Sequence, residues 1–305
     1  MQQGLAFIAR HGKLGLIAGL AAGLVLPDLA VTLRAWIPEL VAMLLFLTVF
    51  RIGPVDTVDS FAALRRTAIA VLVLQLAMPL IFLASLKGLG LPVTPLALAI
   101  ALVLAAPSVT GSANFAILMG HDPAPALRLL IIGTAALPLT AIPVLGLMPQ
   151  LDDTSVLGAA FRLLVVILGA AVAGFALRHW AFRDLSDLGR RATDGLTVIV
   201  LAVVVIGLMS AIRPAMAEAP GALLYWLVAA FALNFGAQIL SFGLLQAAGR
   251  ADAVPTAIVA GNRNFALFFV ALPAEATNAL LIFLGCYQFP MYLTPTLMRK
   301  FYDRS

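Results

Sequence analysis

Two short stretches of this chain place amides, hydroxyls and one cation inside long apolar runs. The first reads Pro107-Ser108-Val109-Thr110-Gly111-Ser112-Ala113-Asn114 and the second Gly261-Asn262-Arg263-Asn264. A side-chain amide offers both donors and an acceptor, and a hydroxyl offers one donor and two lone pairs. Grouped residues of this kind can surround a small polar solute, and a guanidinium can bind its carboxylate bidentately. A charge at the bilayer centre costs about 2.5–3.5 kcal/mol on the lenient insertion scale, so Arg263 is a functional candidate by default. No Asp or Glu stands at similar depth to neutralise it, since Asp252 and Glu275 flank its apolar run and Glu39 and Asp194 lie near the ends of theirs. That leaves two readings: a counter-charge for an organic anion, or a structural pin on the carbonyls of a broken helix. The candidate set is Thr110, Ser112, Asn114, Asn262, Arg263 and Asn264. Gln75, four residues before Pro79, joins it, as does Gln288 in the polar break formed by Tyr287, Gln288 and Pro290. Asn234 and Gln238, at i and i+4, share a helix face. For each amide the alternative is a hydrogen bond that only joins helices.

The elements that must position these residues follow from composition. Of 305 residues 63% are hydrophobic and 11% charged, with mean hydropathy +1.07. A soluble chain is nearer half apolar and a quarter charged, so the expected fold is an all-α membrane protein. Apolar runs of about 20 residues, read between Gly, Pro and charge clusters, predict ten spans. They fall near 13–30, 35–50, 65–86, 94–119, 125–147, 155–178, 194–212, 220–247, 253–272 and 276–298. The N-terminal run to Leu26 is read as a true span and not as a cleaved signal, because the count needs it.

Charge sets the orientation. With ten spans one side collects Arg10, Lys13, Arg51, Arg65, Arg66, Arg128, Arg178, Arg183, Arg190, Arg191, Arg250, Arg299, Lys300 and Arg304. The other side holds only Arg34, Lys87 and Arg213, with Asp28, Asp152, Asp153, Glu218 and Glu275. Arg162 and Arg263 fall inside spans. The positive-inside rule then puts both termini in the cytoplasm, and the expected location is the plasma membrane, a bacterial inner membrane. The same rule accounts for the net charge of +5 without invoking nucleic acid.

Gly111-Ser-Ala-Asn114-Phe115-Ala116-Ile117 resembles Gly261-Asn-Arg-Asn264-Phe265-Ala266-Leu267, about half a chain later. Each copy lies in the fourth span of a five-span half, about 1–150 and 151–305. The second therefore enters the membrane from the opposite side, which is an inverted repeat, 5+5. Polar, Gly- and Pro-containing backbone at membrane depth requires protein or a water-filled cavity to satisfy it. Interrupted fourth and ninth helices are thus expected to cross near the midplane, with half-helix N-termini available to an anion.

At these residues the chain resembles the bile acid:sodium symporter superfamily, as a divergent bacterial-type member. The family's Gln with Pro four residues later is matched by Gln75 and Pro79. Its fourth-helix Pro-Gly-Gly, Ser, Asn pattern is echoed by Pro107, Ser112 and Asn114, with Ser108-Val109 in place of the glycines. Its ninth-helix Glu-x-Gly-x-Gln-Asn-x-x-Leu reads here Val259-Ala-Gly261-Asn-Arg263-Asn264-Phe-Ala-Leu267. The resemblance implies a single transport unit over 1–305, with helices 1, 2, 6 and 7 as a panel and 3–5 with 8–10 as a core. It also implies sodium sites, which are degenerate here. Val259 brings no side-chain oxygen, and Arg263 would repel a cation placed beside it. The arsenite-exporting branch is disfavoured, because the lone Cys286 lies in the tenth span and not the fourth.

The expected function is alternating-access transport of a small organic anion by a secondary transporter or facilitator, without sodium coupling, metal or cofactor. The alternatives are a sodium-coupled bile-acid-type symporter with altered ion sites, or a non-transporting receptor or channel. Enzyme chemistry is not expected. His11, His121 and His179 stand at span boundaries, and no HExxH, GxSxG or Walker pattern occurs.

Overall fold

The computed structural model describes residues 1–52, 61–148, 153–183, 185–273 and 280–303; of the loop charges used above, Asp152, Glu275 and Arg304 lie outside them. The regular elements among the described residues are all helices, in the order α1 (Gln2–Arg10), α2 (Gly12–Val25), α3 (Pro27–Arg34), α4 (Ile37–Ile52), α5 (Phe61–Leu72), a π-helical turn (Val73–Ala77) and α6 (Met78–Gly88). There follow α7 (Pro95–Ala105), α8 (Ser112–Leu118), α9 (Ala124–Leu145), α10 (Asp153–Ala181), α11 (Asp187–Leu208), a 3₁₀ turn (Met209–Ala211), α12 (Ile212–Glu218) and α13 (Pro220–Ala247). After α14 (Ala253–Gly261) come a 3₁₀ turn (Phe265–Leu267), α15 (Phe268–Ala271), α16 (Leu281–Leu297) and α17 (Arg299–Tyr302). Among the described residues five helices are long and apolar enough to cross a membrane, or seven if two bent pairs each make one span. Phe161, Leu168 and Val172 on α10 expose 65%, 53% and 67% of their surface. Apolar side chains turned outward on so long a helix suit a lipid surround, and the chain is an all-helical protein of membrane character.

The chain forms two compact units, one of residues 1–56 and 164–223, the other of 57–163 and 224–305. In the first, α11 packs against α1, α2, α3 and α4. Glycines make the approach to α2 possible. Gly12, Gly15, Gly19 and Gly23 recur every three or four residues and so share one face. A Cβ on Gly19 would meet the Ala202 backbone at 3.0 Å, and one on Gly23 would meet Met209 Cβ at 2.6 Å. Small residues of this kind let backbones touch where lipid supplies no hydrophobic drive between helices. Arg51 Nε reaches Asp194 Oδ1 at 2.8 Å, and its Nη2 reaches Oδ2 at 3.4 Å, tying α4 to α11.

One element was not foreseen. The first nine helical residues form α1, which lies on α11 with Leu5's backbone against Gly195, where a Cβ would overlap the carbonyl outright. Gly195→Leu is therefore expected to expel α1 while leaving α11 helical. Limited proteolysis should then cut within residues 2–12, and an N-terminus as resistant as in the unaltered chain would refute the packing.

The second unit contains α5 to α9, α10 as far as Leu163, α13 from Leu224 and α14 to α17, and it holds every candidate residue named above. Both helix interruptions lie within it.

Candidate functional site

Pro107 ends α7 by removing a donor and clashing with the turn before it. Ala106 turns to an extended conformation, and the chain re-enters helix only at Ser112. The second break follows Gly261, with Asn262 and Asn264 also non-helical. Open backbone in an apolar surround must find partners, and these two breaks use each other. Val109 N donates to Asn262 O at 3.0 Å, and Asn264 N donates to Pro107 O at 2.8 Å, an antiparallel bridge that sets Ser108 opposite Arg263.

Extended residues send successive side chains to opposite sides. Arg263 goes one way and is 2% exposed, donating from Nε to Ala260 O at 3.0 Å, from Nη1 to Ala106 O at 2.9 Å and from Nη2 to Leu74 O at 3.3 Å. Each acceptor has been released by a departure from regular helix. Asn264 N, the regular donor to Ala260 O, is spent on the bridge. Ala106 O lies just past the end of α7. Leu74 sits in the π-helical turn, where Met78 N bonds to Val73 O instead. The next residue, Pro79, has no N–H to offer. Gln75, four residues ahead of that proline, donates Nε2 to Gly133 O at 3.2 Å, while its buried Oε1 has no partner among the described residues. Gln75, Ser108, Val259 and Arg263 border a space with no room for a water.

Asn262 points the other way, into a network of side chains from three helices. Its Nδ2 donates to Ile258 O at 2.7 Å, and its Oδ1 accepts from Thr294 Oγ1 at 3.1 Å and Asn234 Nδ2 at 3.4 Å. Asn234 Nδ2 and the Tyr287 hydroxyl both donate to Gly261 O, the last carbonyl of α14. Gln238 Nε2 donates to Asn234 Oδ1 at 2.7 Å and to Thr294 Oγ1 at 3.2 Å, and Tyr302 donates to Gln238 Oε1 at 3.0 Å. At the opposite end of α14, burial alone would raise the Asp252 carboxyl. Its hydrogen bond to Arg250, at 2.8 to 2.9 Å, and the charges of Arg250 and Arg66 outweigh that and hold it below the ordinary carboxylate range.

The eight candidates thus divide. Gln75, Ser112, Asn262, Arg263 and Gln288 are buried, Thr110 and Asn264 are half-buried, and Asn114 is exposed on α8. Gln75 and Arg263 share one space; Asn262 belongs to the network on the other side of the break. Gln288 donates to Leu284 O on its own helix, and Ser112 Oγ has no partner among the described residues. The half-helix ends whose carbonyls meet Arg263 are C-termini, whose dipoles favour a cation. Arg162 makes a similar bond, Nη1 to Ala271 O at 3.2 Å at the end of α15. Thr294 and Tyr302 were missed by sequence reasoning, while Ser108 was read as part of the first break but not as a candidate. The break expected at Tyr287, Gln288 and Pro290 is absent, since α16 runs through them as one helix, and Thr294 donates Oγ1 to the Pro290 carbonyl at 3.1 Å, with nothing local to announce its other partners. No family model and no curated protein matches the chain.

Proposed function

We propose that this protein is a secondary transporter or facilitator that moves a small organic anion by alternating access, a divergent relative of the bile acid:sodium symporters and not an enzyme. The observation that carries the reading is the pairing of two interrupted helices, backbone to backbone, inside one unit. Such a crossing is a recurrent way to place polar groups at the bilayer midplane. Seven spans are available if the bent pairs are counted, and adding the two interrupted helices and α16 reaches the ten read from the sequence. With ten spans the charge bias puts both termini in the cytoplasm of a bacterial inner membrane, and the Gly111 and Gly261 copies become inverted repeats.

Thr110, Asn114 and Asn264 are the candidate polar side chains near the breaks that are not buried, and they are the groups this reading offers to a substrate. Val259, packed among Val71, Leu74 and Leu129, offers no side-chain oxygen to sodium. Uptake of small organic anions into proteoliposomes is therefore expected to proceed equally with sodium or choline outside. A strict, saturable sodium requirement would overturn the uncoupled reading. Saturable binding without any flux would favour a receptor.

A further inference from the structure

The guanidinium of Arg263 is surrounded by oxygen and by no carboxylate among the described residues. Two of its acceptors close the C-terminal ends of α7 and α14. A helix C-terminus carries roughly half a negative charge, so two such ends offset about one positive charge. The third acceptor, Leu74 O, is released by the π-helical turn and Pro79. Gln75, whose buried Oε1 has no partner among the described residues, borders the same space as Arg263. Carbonyl oxygens converging from several backbone segments at negative dipole ends are what a dehydrated monovalent cation requires. The planar fork suits them, because Nε, Nη1 and Nη2 each take one carbonyl from a different segment.

We infer that this carbonyl cradle is a monovalent-cation site whose occupant is the chain's own guanidinium. Removing that side chain opens the site to a free cation, with guanidinium itself as the best-fitting guest and sodium or potassium as smaller ones held by the carbonyls and Gln75 Oε1. In the native chain the cation is covalently tethered, so the crossing is held at every salt composition. The inference concerns binding alone: a protein that fails to transport leaves it intact, and its own failure leaves transport open.

The test is the melting of purified, detergent-solubilised Arg263→Ala with millimolar guanidinium, sodium, potassium, choline or urea. A ligand that binds only the folded state raises the melting temperature with its concentration. Arg263→Ala should melt below the native chain, and guanidinium, or a small alkali cation, should restore part of the loss saturably. Choline, too bulky, and urea, planar but neutral, should not, and the native chain should respond to none of them. No recovery with any cation overturns the inference, and so does equal recovery with urea. Should Arg263→Ala not fold, Arg263→Lys and Arg263→Met decide the matter, since they differ chiefly in charge. A folded Lys variant beside an unfolded or much less stable Met variant supports the site. Equal behaviour of the two, whether both fold or both fail, overturns it.

Discussion

Gly261→Ala should destabilise the second unit by about 3 kcal/mol or more, beyond the ordinary cost of overpacking a core. The reason lies in what a single methyl would meet. It would overlap the Asn234 backbone carbonyl and Gln238 Cγ and stand 2.9 Å from Gln238 Nε2. A side chain can turn aside, but the α13 backbone cannot, so α14 must move away from α13. That movement separates Asn234 from Gly261 O and from Asn262 Oδ1 and strips the end of α14 of two donors. Gly236→Ala, on α13 with nothing within 4 Å of its Cβ, is the matched control. It should be neutral, or stabilising by up to about 1 kcal/mol through helix propensity. Equal unfolding free energies for the two variants would show that α14 does not approach α13 as closely as described.

The amide network should fail cooperatively. Asn262 Oδ1 accepts from both Asn234 and Thr294, and Gln238 Nε2 donates to both. Asn234→Ala or Thr294→Val alone leaves each of these groups one partner. Since hydrogen bonds between membrane helices average about 0.6 kcal/mol and reach about 1.7, single losses of about 1 to 2 kcal/mol are expected. The double variant leaves Asn262 Oδ1 without either donor, and a buried unsatisfied acceptor costs about 1–3 kcal/mol. Its destabilisation should exceed the sum of the singles by about 1 to 2 kcal/mol in a double-mutant cycle. Agreement with additivity to within about 0.5 kcal/mol, the behaviour of independent sites, would mean that the three helices do not share one network.

How much of this was legible in the sequence depends on what kind of group makes each contact. The breaks were readable because Pro107, Gly111 and Gly261 disturb a helix by their own covalent structure, wherever they are packed. The disturbance around Gln75 was readable through Pro79, although its effect falls on the neighbouring Leu74 carbonyl. The partners of Arg263 were not readable. All three are backbone oxygens, of Leu74, Ala106 and Ala260, which every residue carries and which no residue type advertises. For the same reason the choice between counter-charge and pin stayed open at the sequence level. The split between Asn262 and Arg263 needed the extended geometry of their backbone, which sends adjacent side chains to different neighbours. α1 was overlooked because nine residues of mixed polarity carry no span signal, and its docking depends on Gly195 far along the chain.

The antiparallel bridge between the two breaks also dictates an order of assembly. Val109 and Asn262 supply opposite sides of one backbone hydrogen bond but lie about 150 residues apart in the chain. At about 5–20 residues per second, synthesis separates their emergence by roughly 8 to 30 s. Throughout that interval Pro107 to Gly111 has no bridge partner, and the Leu74 and Ala106 carbonyls have no guanidinium. The first half of the second unit is therefore made with its polar interruption open and must be held by water, lipid headgroups or the insertion machinery. Arrival of the Gly261–Asn264 segment closes backbone and cradle in a single step. The residues that define the finished site are thus the same ones that leave the chain most exposed while it is being made.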